Sequence, residues 1–237
     1  MQTVFLRYEK KFLITYEQAA NLQQIIASRV MPDKYATYWV QNLYLDTDNW
    51  DVICASIEKP FFKEKMRLRG YGVPAADGFI LLEIKRKYDG VGYKRRVSLP
   101  ASAINRHGLS TALQENNTQI AKELAYYLNT TQVSEKMFIS YNRTAFTGIE
   151  DESLRITFDA DIKYRSDELH FQNPGEGRSI LPSDVMLLEI KTHTNFPLWL
   201  TQSLSEFEIY VTSFSKYGRC FIDYTQNSSE RLVETSA

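Results

Sequence analysis

In the stretch EKMRLRG, residues 64–70, charged and apolar side chains alternate from Lys65 onward. Successive side chains of a β-strand point to opposite faces, so this stretch predicts a strand with one basic and one apolar face. Lys65, Arg67 and Arg69 share the basic face, and Met66 and Leu68 share the other. Because the apolar face must be buried, the basic face points either to solvent or into an enclosed space.

Three further stretches repeat this alternation, each with charged residues on one face. The charged faces are Arg7, Glu9 and Lys11 in residues 4–14, Glu83, Lys85 and Lys87 in 82–87, and Lys94 and Arg96 in 93–98. For any one strand, a solvated face with weak cross-strand ion pairs is an adequate interpretation. Four such strands together favour a closed sheet whose interior carries the charges.

Turn signals and strand spacing indicate how these faces are connected. Asp77-Gly78 and Asp89-Gly90 separate consecutive alternating runs, as in β-hairpins. The expected helices occur in clusters rather than after every strand, which favours an antiparallel α+β fold over a doubly wound sheet. We therefore expect an antiparallel β-barrel flanked by helices, with one domain over residues 1–225 and a polar tail over 226–237. Strands are expected at 4–14, 38–46, 64–72, 78–88, 92–99, 137–147, 153–164 and 185–193, and helices at 15–30, 48–57, 101–115, 118–129 and 197–209.

The composition limits the class of protein. The chain has 237 residues, a formal net charge of −1 and no apolar run long enough to cross a membrane as a helix. Its two cysteines, Cys54 and Cys220, are far apart, as is usual in a reducing compartment. We therefore expect a cytoplasmic protein without a membrane span, and the balanced charge argues against nucleic acid as a partner.

An interior lined by Lys and Arg needs a polyanion or water to offset the repulsion between its charges. A run of phosphates fits best, since Arg binds phosphate oxygens in bidentate fashion and Lys supplies a compact charge. Three carboxylates are interspersed with the basic residues, namely Glu9, Glu83 and Glu189. They would repel phosphate directly, but they suit Mg²⁺ or Mn²⁺, which bridges carboxylate and phosphate oxygens.

A short repeat indicates two similar halves that close one structure. LLEIK at residues 81–85 recurs at 187–191, and each copy follows a strand with a central Arg, Arg67 in the first and Arg155 in the second. Two acids near these strands, Asp46 and Asp159, are interpreted as turn or strand-end residues rather than as partners of the Arg residues.

The ordered motifs resemble those of the triphosphate tunnel metalloenzymes. RYEKKF at 7–12 is similar to the family's opening signature Glu-x-Glu-x-Lys, with Arg7 in the place of the first Glu. One branch is resembled in particular, the polyphosphate polymerase domain of the vacuolar transporter chaperone (VTC) complex and its bacterial relatives. The further motifs are YLDT at 44–47, KMRLR at 65–69, LEIK at 82–85 and 188–191, SYNRTAF at 140–146 and FSKY at 214–217.

The resemblance implies an antiparallel tunnel in which polyphosphate is made from the γ-phosphate of ATP, with Mn²⁺ or Mg²⁺ as cofactor. Carried over position by position, it assigns catalytic roles to Lys11, Arg67, Arg69, Lys85 and Glu189. It assigns phosphate binding to Lys94, Tyr141, Arg143, Arg155, Ser215 and Lys216. Metal binding falls to Glu189, with Glu9 as a second ligand.

Three functions are compatible with such a tunnel, and motif resemblance favours the first. In a polymerase the acceptor of the phosphoryl group is a phosphate chain, with ATP and inorganic polyphosphate as partners. In a tripolyphosphate, polyphosphate or nucleoside-triphosphate hydrolase the acceptor is water. The third alternative is a polyphosphate-binding module without turnover.

Overall fold

The computed structural model describes residues 8–75, 77–89, 91–104, 106–193 and 195–234. Arg7, which stands in place of the first Glu of the opening signature, lies outside the described residues.

Ten strands and six α-helices make up the described part of the chain. The strands are β1 (Tyr8–Thr15), β2 (Val30–Asp46), β3 (Phe62–Tyr71), β4 (Phe79–Tyr88), β5 (Val91–Pro100), β6 (Ser134–Gly148), β7 (Arg155–Arg165), β8 (Arg178–Ser179), β9 (Val185–Thr192) and β10 (Val211–Thr212). The helices are α1 (Tyr16–Ile26), α2 (Asp51–Ile57), α3 (Arg106–Glu115), α4 (Gln119–Thr131), α5 (Leu198–Glu206) and α6 (Lys216–Glu234).

All the described strands belong to one antiparallel sheet, in the order β10-β1-β9-β7-β6-β2-β3-β4-β5, with β8 paired to β7. The predicted antiparallel α+β class is therefore confirmed. Strands β1 and β4 are six places apart in this order, which would separate them by roughly 30 Å in a flat sheet. Yet Lys85 Nζ on β4 lies 3.8 Å from Glu9 Oε2 on β1, so the sheet curls until its two ends face each other.

Side chains rather than a backbone ladder connect the two ends of this curled sheet. Among the described strands, the edge strands β5 and β10 are not hydrogen-bonded to each other. The enclosed space, lined by the inner faces of the strands, is called the tunnel below.

Apolar clusters on both sides of the sheet hold this curvature. One cluster packs the outer face of β3, β4 and β5 under α3 and α4, through residues such as Leu82, Leu109 and Leu124. A second packs the outer face of β1, β7 and β9 under α1 and α5. A third lies inside, where Tyr217 and Cys220 of α6 pack against inner-face residues of β2, β6 and β7. Helix α6 therefore packs against the inner face near one end of the tunnel.

Two helical predictions need correction. The helix expected over 15–30 ends at Ile26, and Val30 begins β2 opposite Gly148. Pro32 lies inside β2, where an irregular register between Pro32 and Thr37 accommodates a residue without an N–H donor. Helix α6 is absent from the sequence-based assignment, and it extends through the first nine residues of the predicted tail.

Substitution of Leu81 and Leu82, the two adjacent leucines of the first LLEIK copy, can show which face of β4 is buried in the core. Leu82 is 0% exposed in the outer cluster, whereas Leu81 on the opposite face is only partly buried. We expect Leu82→Ala to lower the free energy of unfolding by about 2–5 kcal/mol, because it leaves a cavity in a packed core. Leu81→Ala should cost clearly less in the same urea titration. Equal costs would contradict this orientation of β4.

Candidate active site

Three lysines lie directly opposite one another across neighbouring strands of the inner face. Lys65 on β3 pairs in register with Lys85 on β4, and Lys85 pairs in register with Lys94 on β5. Lys63 and Lys87 form a further like-charge pair beside them. Like charges directly opposite in a sheet are destabilising. We call Lys65, Lys85 and Lys94 the lysine row.

The environment of the lysine row disfavours its positive charge. Desolvation, followed by repulsion from Lys63 and Lys11, lowers the pKa of Lys65 to about 8. Desolvation also lowers the pKa of Lys94 to about 8, against the attraction of Glu83. The Lys85 side chain is 57% exposed. The attraction of Glu9 raises its pKa, but partial desolvation and the neighbouring cations outweigh this attraction, and the net shift is downward. A bound anion would relieve all three shifts.

Glu83 organises the basic residues next to the lysine row. Arg67 donates to Glu83 Oε2 from Nε at 3.0 Å and from a terminal nitrogen at 2.9 Å, and it donates to the Tyr44 hydroxyl at 3.0 Å. Arg69 Nε lies 3.7 Å from the same carboxylate and Lys94 pairs with its other oxygen. Burial raises the pKa of Glu83, but these cations outweigh burial and lower it to about 2. Glu83 is therefore a buried carboxylate that stays ionised at neutral pH and holds these three cations in place.

Glu189 forms the corresponding centre on the other half of the sheet. Four cations surround its carboxylate, and together they hold its pKa well below the usual range although burial opposes this. The distances to the carboxylate oxygens are 2.9 Å for Lys216, 3.0 Å for Lys191, 3.8 Å for Lys11 and 3.8 Å for Arg143.

Asp159 completes this centre from β7. Arg143 donates to both of its oxygens, at 2.6 and 2.7 Å, and Lys216 Nζ lies 2.6 Å from Oδ2. Its interpretation as a strand-end residue is therefore wrong. Asp46 also has partners, because it accepts from Tyr217 and from the first backbone N–H groups of α2. Its place at the end of β2 and before α2 agrees with the sequence, but its contact with α6 was not expected.

Glu9 on β1 links the two ends of the curled sheet through its ion pair with Lys85 on β4, and Lys11 lies beside Glu9 on β1. Lys11 Nζ lies 3.5 Å from Glu9 and donates to the carbonyl of Phe214 at 2.9 Å. Burial raises the pKa of Glu9, but Lys191, Lys85 and Lys11 outweigh burial and lower it to about 2. Because Lys85 belongs to the lysine row, Glu9 connects the Glu189 centre with the opposite face of the tunnel.

The structure brings most of the sequence-predicted site residues together on the inner face. Tyr141 is buried between two cations, with Arg143 5.2 Å and Lys216 Nζ 4.5 Å from its ring centroid. Ser215 Oγ accepts from Gly218 N and from Lys65 Nζ, both at 3.2 Å, so it caps α6 and contacts the lysine row. Arg155 is less central, since it pairs with Asp33 and leaves 39% of its side chain exposed.

Lys65, Lys191 and Asp159 are functional candidates that the site assignment from sequence missed. The alternation of their strands carried a signal, because Lys65 and Lys191 each lie two residues from an assigned residue and so on the same face. No such signal marks Asp159 as a partner of Lys216, since the two residues meet only through the packing of α6.

The donor set limits how a divalent cation could bind. Within the described residues, no group of three or more His, Cys, Asp and Glu side chains is placed to hold a metal ion. Glu9 and Glu189 both contact the Lys11 amine, so two carboxylates face the same space. This set fits Mg²⁺ or Mn²⁺ bound by one or two carboxylates and completed by substrate phosphates and water. It does not form an all-protein cage.

A curled antiparallel sheet with facing rows of Lys and Arg and with buried Glu is the arrangement that the resemblance to the triphosphate tunnel metalloenzymes predicts. The family model of the VTC domain matches residues 6–222, and the chain belongs to this family. Among curated proteins none matches the sequence significantly. No helix in the described part of the chain is long and apolar enough to span a membrane.

Solved structures with a similar course of the chain have low sequence identity. A Vibrio parahaemolyticus protein described as a candidate adenylate cyclase is 11% identical, with a TM-score of 0.48, over 92% of this chain and 99% of its own. A candidate adenylyl cyclase from Hippeastrum, described as having a dominant triphosphatase activity, is 17% identical, with a TM-score of 0.48, over 90% of this chain and 93% of its own.

Replacement of Lys65 by methionine should have opposite effects on two properties, because it should stabilise the fold and weaken phosphate binding. Below the lowered pKa of about 8, Lys65 is charged in the folded and unfolded chains, and the cost of burying that charge is fully present. We expect Lys65→Met to raise the melting temperature at pH 7 and to weaken tripolyphosphate binding in calorimetry. As the pH rises from about 8 towards 10.5, the folded chain loses this proton first, so the stability advantage should shrink.

Lys10 provides the matched control, because it lies on the outer, exposed side of β1 next to Lys11. Lys10→Met should change neither property. A Lys65→Met protein that is less stable than the wild type at pH 7, or that binds tripolyphosphate normally, would contradict this account of the lysine row.

Proposed function

We propose that this protein is a metal-dependent polyphosphate polymerase that transfers the γ-phosphoryl group of ATP to a polyphosphate chain held in the tunnel. The lysine row carries this proposal. Three amines held opposite one another, each with a lowered pKa, form a site that is unfavourable when empty and favourable around a phosphate chain.

The length of the basic inner face supports a polymer as substrate. Lys63, Lys65, Arg67 and Arg69 share one face of β3, because they alternate with Glu64, Met66 and Leu68 on the other face. This places basic side chains over about 20 Å of strand. Lys87 and Lys85 extend the same face on β4. This track is longer than one triphosphate, so it can hold a nucleoside triphosphate and an acceptor chain end to end.

The reaction would be phosphoryl transfer by positioning and charge neutralisation, without a covalent enzyme intermediate. A terminal oxygen of the acceptor chain forms a bond to the γ-phosphorus, the bond to the β–γ bridging oxygen breaks, and ADP leaves with that electron pair. Arg67, Arg143 and the lysine row would neutralise the phosphate oxygens. Glu189 and Glu9 would hold the divalent cation, which supplies further neutralisation of the charge on the phosphates when it is bound.

An assay of chain growth tests the proposal. Pure protein incubated with ATP and Mn²⁺ should produce polyphosphate chains that are resolved on a polyacrylamide gel. Glu189→Gln should reduce the rate about a hundredfold or more, because it removes a charge that organises the phosphate and metal sites. The matched control is Glu17→Gln, an exposed glutamate of α1, which should leave the rate unchanged.

The products separate the three functions. Free phosphate without chains would indicate a hydrolase, and tight polyphosphate binding with neither product would indicate a binding module. Either result would overturn the polymerase proposal. Circular dichroism and tripolyphosphate binding by Glu189→Gln check that the variant folds and that its loss is in turnover.

The contacts of Glu189 lead to a second expectation, that metal binding depends on bound phosphate. Lys216 and Lys191 lie 2.9 and 3.0 Å from the Glu189 carboxylate oxygens. Phosphates that attract these amines would free the carboxylate for a cation. We expect electron paramagnetic resonance titrations to show weak Mn²⁺ binding to the protein alone and much tighter binding when tripolyphosphate is held by excess protein.

Some Mn²⁺ will be held by the phosphate itself, so variants are needed to assign the remainder. Glu189→Gln and Glu9→Gln should lower the tighter affinity, whereas Glu17→Gln should not. Equally tight Mn²⁺ binding with and without tripolyphosphate would contradict this coupling.

A further inference from the structure

Three tyrosines form a connected aromatic cluster at the end of the tunnel opposite α6. The ring centroids of Tyr35 and Tyr38 are 6.3 Å apart, and those of Tyr38 and Tyr71 are 5.9 Å apart, both with edge-to-face geometry. Tyr35 is 66% exposed and Tyr71 is 50% exposed. We call Tyr35, Tyr38 and Tyr71 the tyrosine cluster.

Strand register places Tyr38 and Tyr71 on the inner face, and Tyr35 joins them through its contact with Tyr38. Tyr38 shares its face of β2 with Tyr44, whose hydroxyl accepts from Arg67, and Tyr71 shares its face of β3 with Arg67 and Arg69. Tyr44 stacks on Tyr217 of α6, and Tyr38 is six residues from it, or about 20 Å along the strand. The tyrosines therefore lie at the opposite end from α6.

Basic residues join the tyrosine cluster directly to the tunnel. Tyr38 is the register partner of Arg143. Burial raises the pKa of Tyr38, and the nearby charges of Arg143 and Arg155 oppose that shift. Arg69 is two residues from Tyr71 on the same face, a separation of about 7 Å. An aromatic surface thus continues into a phosphate-binding surface without interruption.

We propose that the tyrosine cluster binds the purine base of the nucleoside triphosphate, with the phosphates directed into the tunnel. This inference rests on the proposed function, because it takes the triphosphate as the ligand of the basic inner face. Bases stack on exposed aromatic rings, and flanking Arg residues add cation–π attraction. Half-exposed tyrosines next to Arg143 and Arg155 match a planar, electron-rich group attached to an anion. An apolar protein segment would not need the adjacent cations.

The cluster gives the tunnel a preference that phosphate binding alone does not supply. Inorganic tripolyphosphate and ATP present the same anionic groups to the lysine row, but only ATP carries a base. Stacking is strongest for the larger rings, so purine nucleotides should bind more tightly than pyrimidine nucleotides.

Calorimetry with ATP and with inorganic tripolyphosphate, both with the full chain, tests the proposal. We expect Tyr71→Ala to weaken ATP binding about five- to 150-fold, the range that base–aromatic stacking gives on alanine substitution, and to leave tripolyphosphate binding unchanged. Tyr71→Phe keeps the ring and should retain wild-type affinity for both ligands. Tyr35→Ala, at the more exposed end of the cluster, should act in the same direction as Tyr71→Ala.

Tyr126→Ala is the matched control, because Tyr126 is 71% exposed on α4, outside the sheet. Equal loss of ATP and tripolyphosphate affinity in both Tyr71→Ala and Tyr35→Ala would indicate a structural role and overturn the base-binding site. Unchanged ATP affinity in both variants would overturn it as well. If the wild type binds tripolyphosphate but ATP no more tightly, the base site fails while the proposed function stands. If it binds neither ligand, both fail.

Discussion

Burial of the outer apolar face of the sheet forces a set of cations into an enclosed space, and much of the structure offsets their mutual repulsion. Leu82 and Ile84 of β4 pack under α3 and α4. Because side chains alternate along a strand, the neighbouring residues Glu83 and Lys85 face inward. The same alternation turns Lys11 and Lys94 inward. Curling of the sheet then brings these charges from distant strands within reach of one another, as the contact between Lys85 and Glu9 shows.

The protein offsets only part of this repulsion with its own acids. The repeat LLEIK places one buried glutamate at the centre of each half of the sheet, Glu83 on β4 and Glu189 on β9. Each glutamate has a cation on the neighbouring edge-side strand, Lys94 for the first and Lys11 for the second. The lysine row remains short of partners, with Glu9 and Glu83 shared among several amines. Under the proposed function, a phosphate chain offsets this deficit.

The inner face could be predicted from the sequence, because side chains alternate between the two faces within each strand. The contacts between distant strands of the curled sheet and the contacts with α6 could not be predicted. Lys65, Arg67 and Arg69 could be assigned to one face because the period of a strand is two. The pairing of Glu9 with Lys85 could not, since it joins strands six places apart in the sheet. The contacts of Asp159 with Lys216 and of Asp46 with Tyr217 could not be predicted either, because both partners belong to a helix that the sequence-based assignment lacked.

Helix α6 makes the two glutamate centres unequal. The Glu83 centre is built entirely from strands β3, β4 and β5, so it depends only on the sheet. The Glu189 centre adds Lys216 from the first turn of α6, held between Glu189 and Asp159. Its carboxylate can therefore gain or lose a partner through a small movement of one helix end, whereas Glu83 cannot. Under the proposed function, this difference suits Glu83 to holding Arg67, Arg69 and Lys94 in fixed positions for phosphate. It suits Glu189 to the site whose charge balance changes when substrate and metal bind.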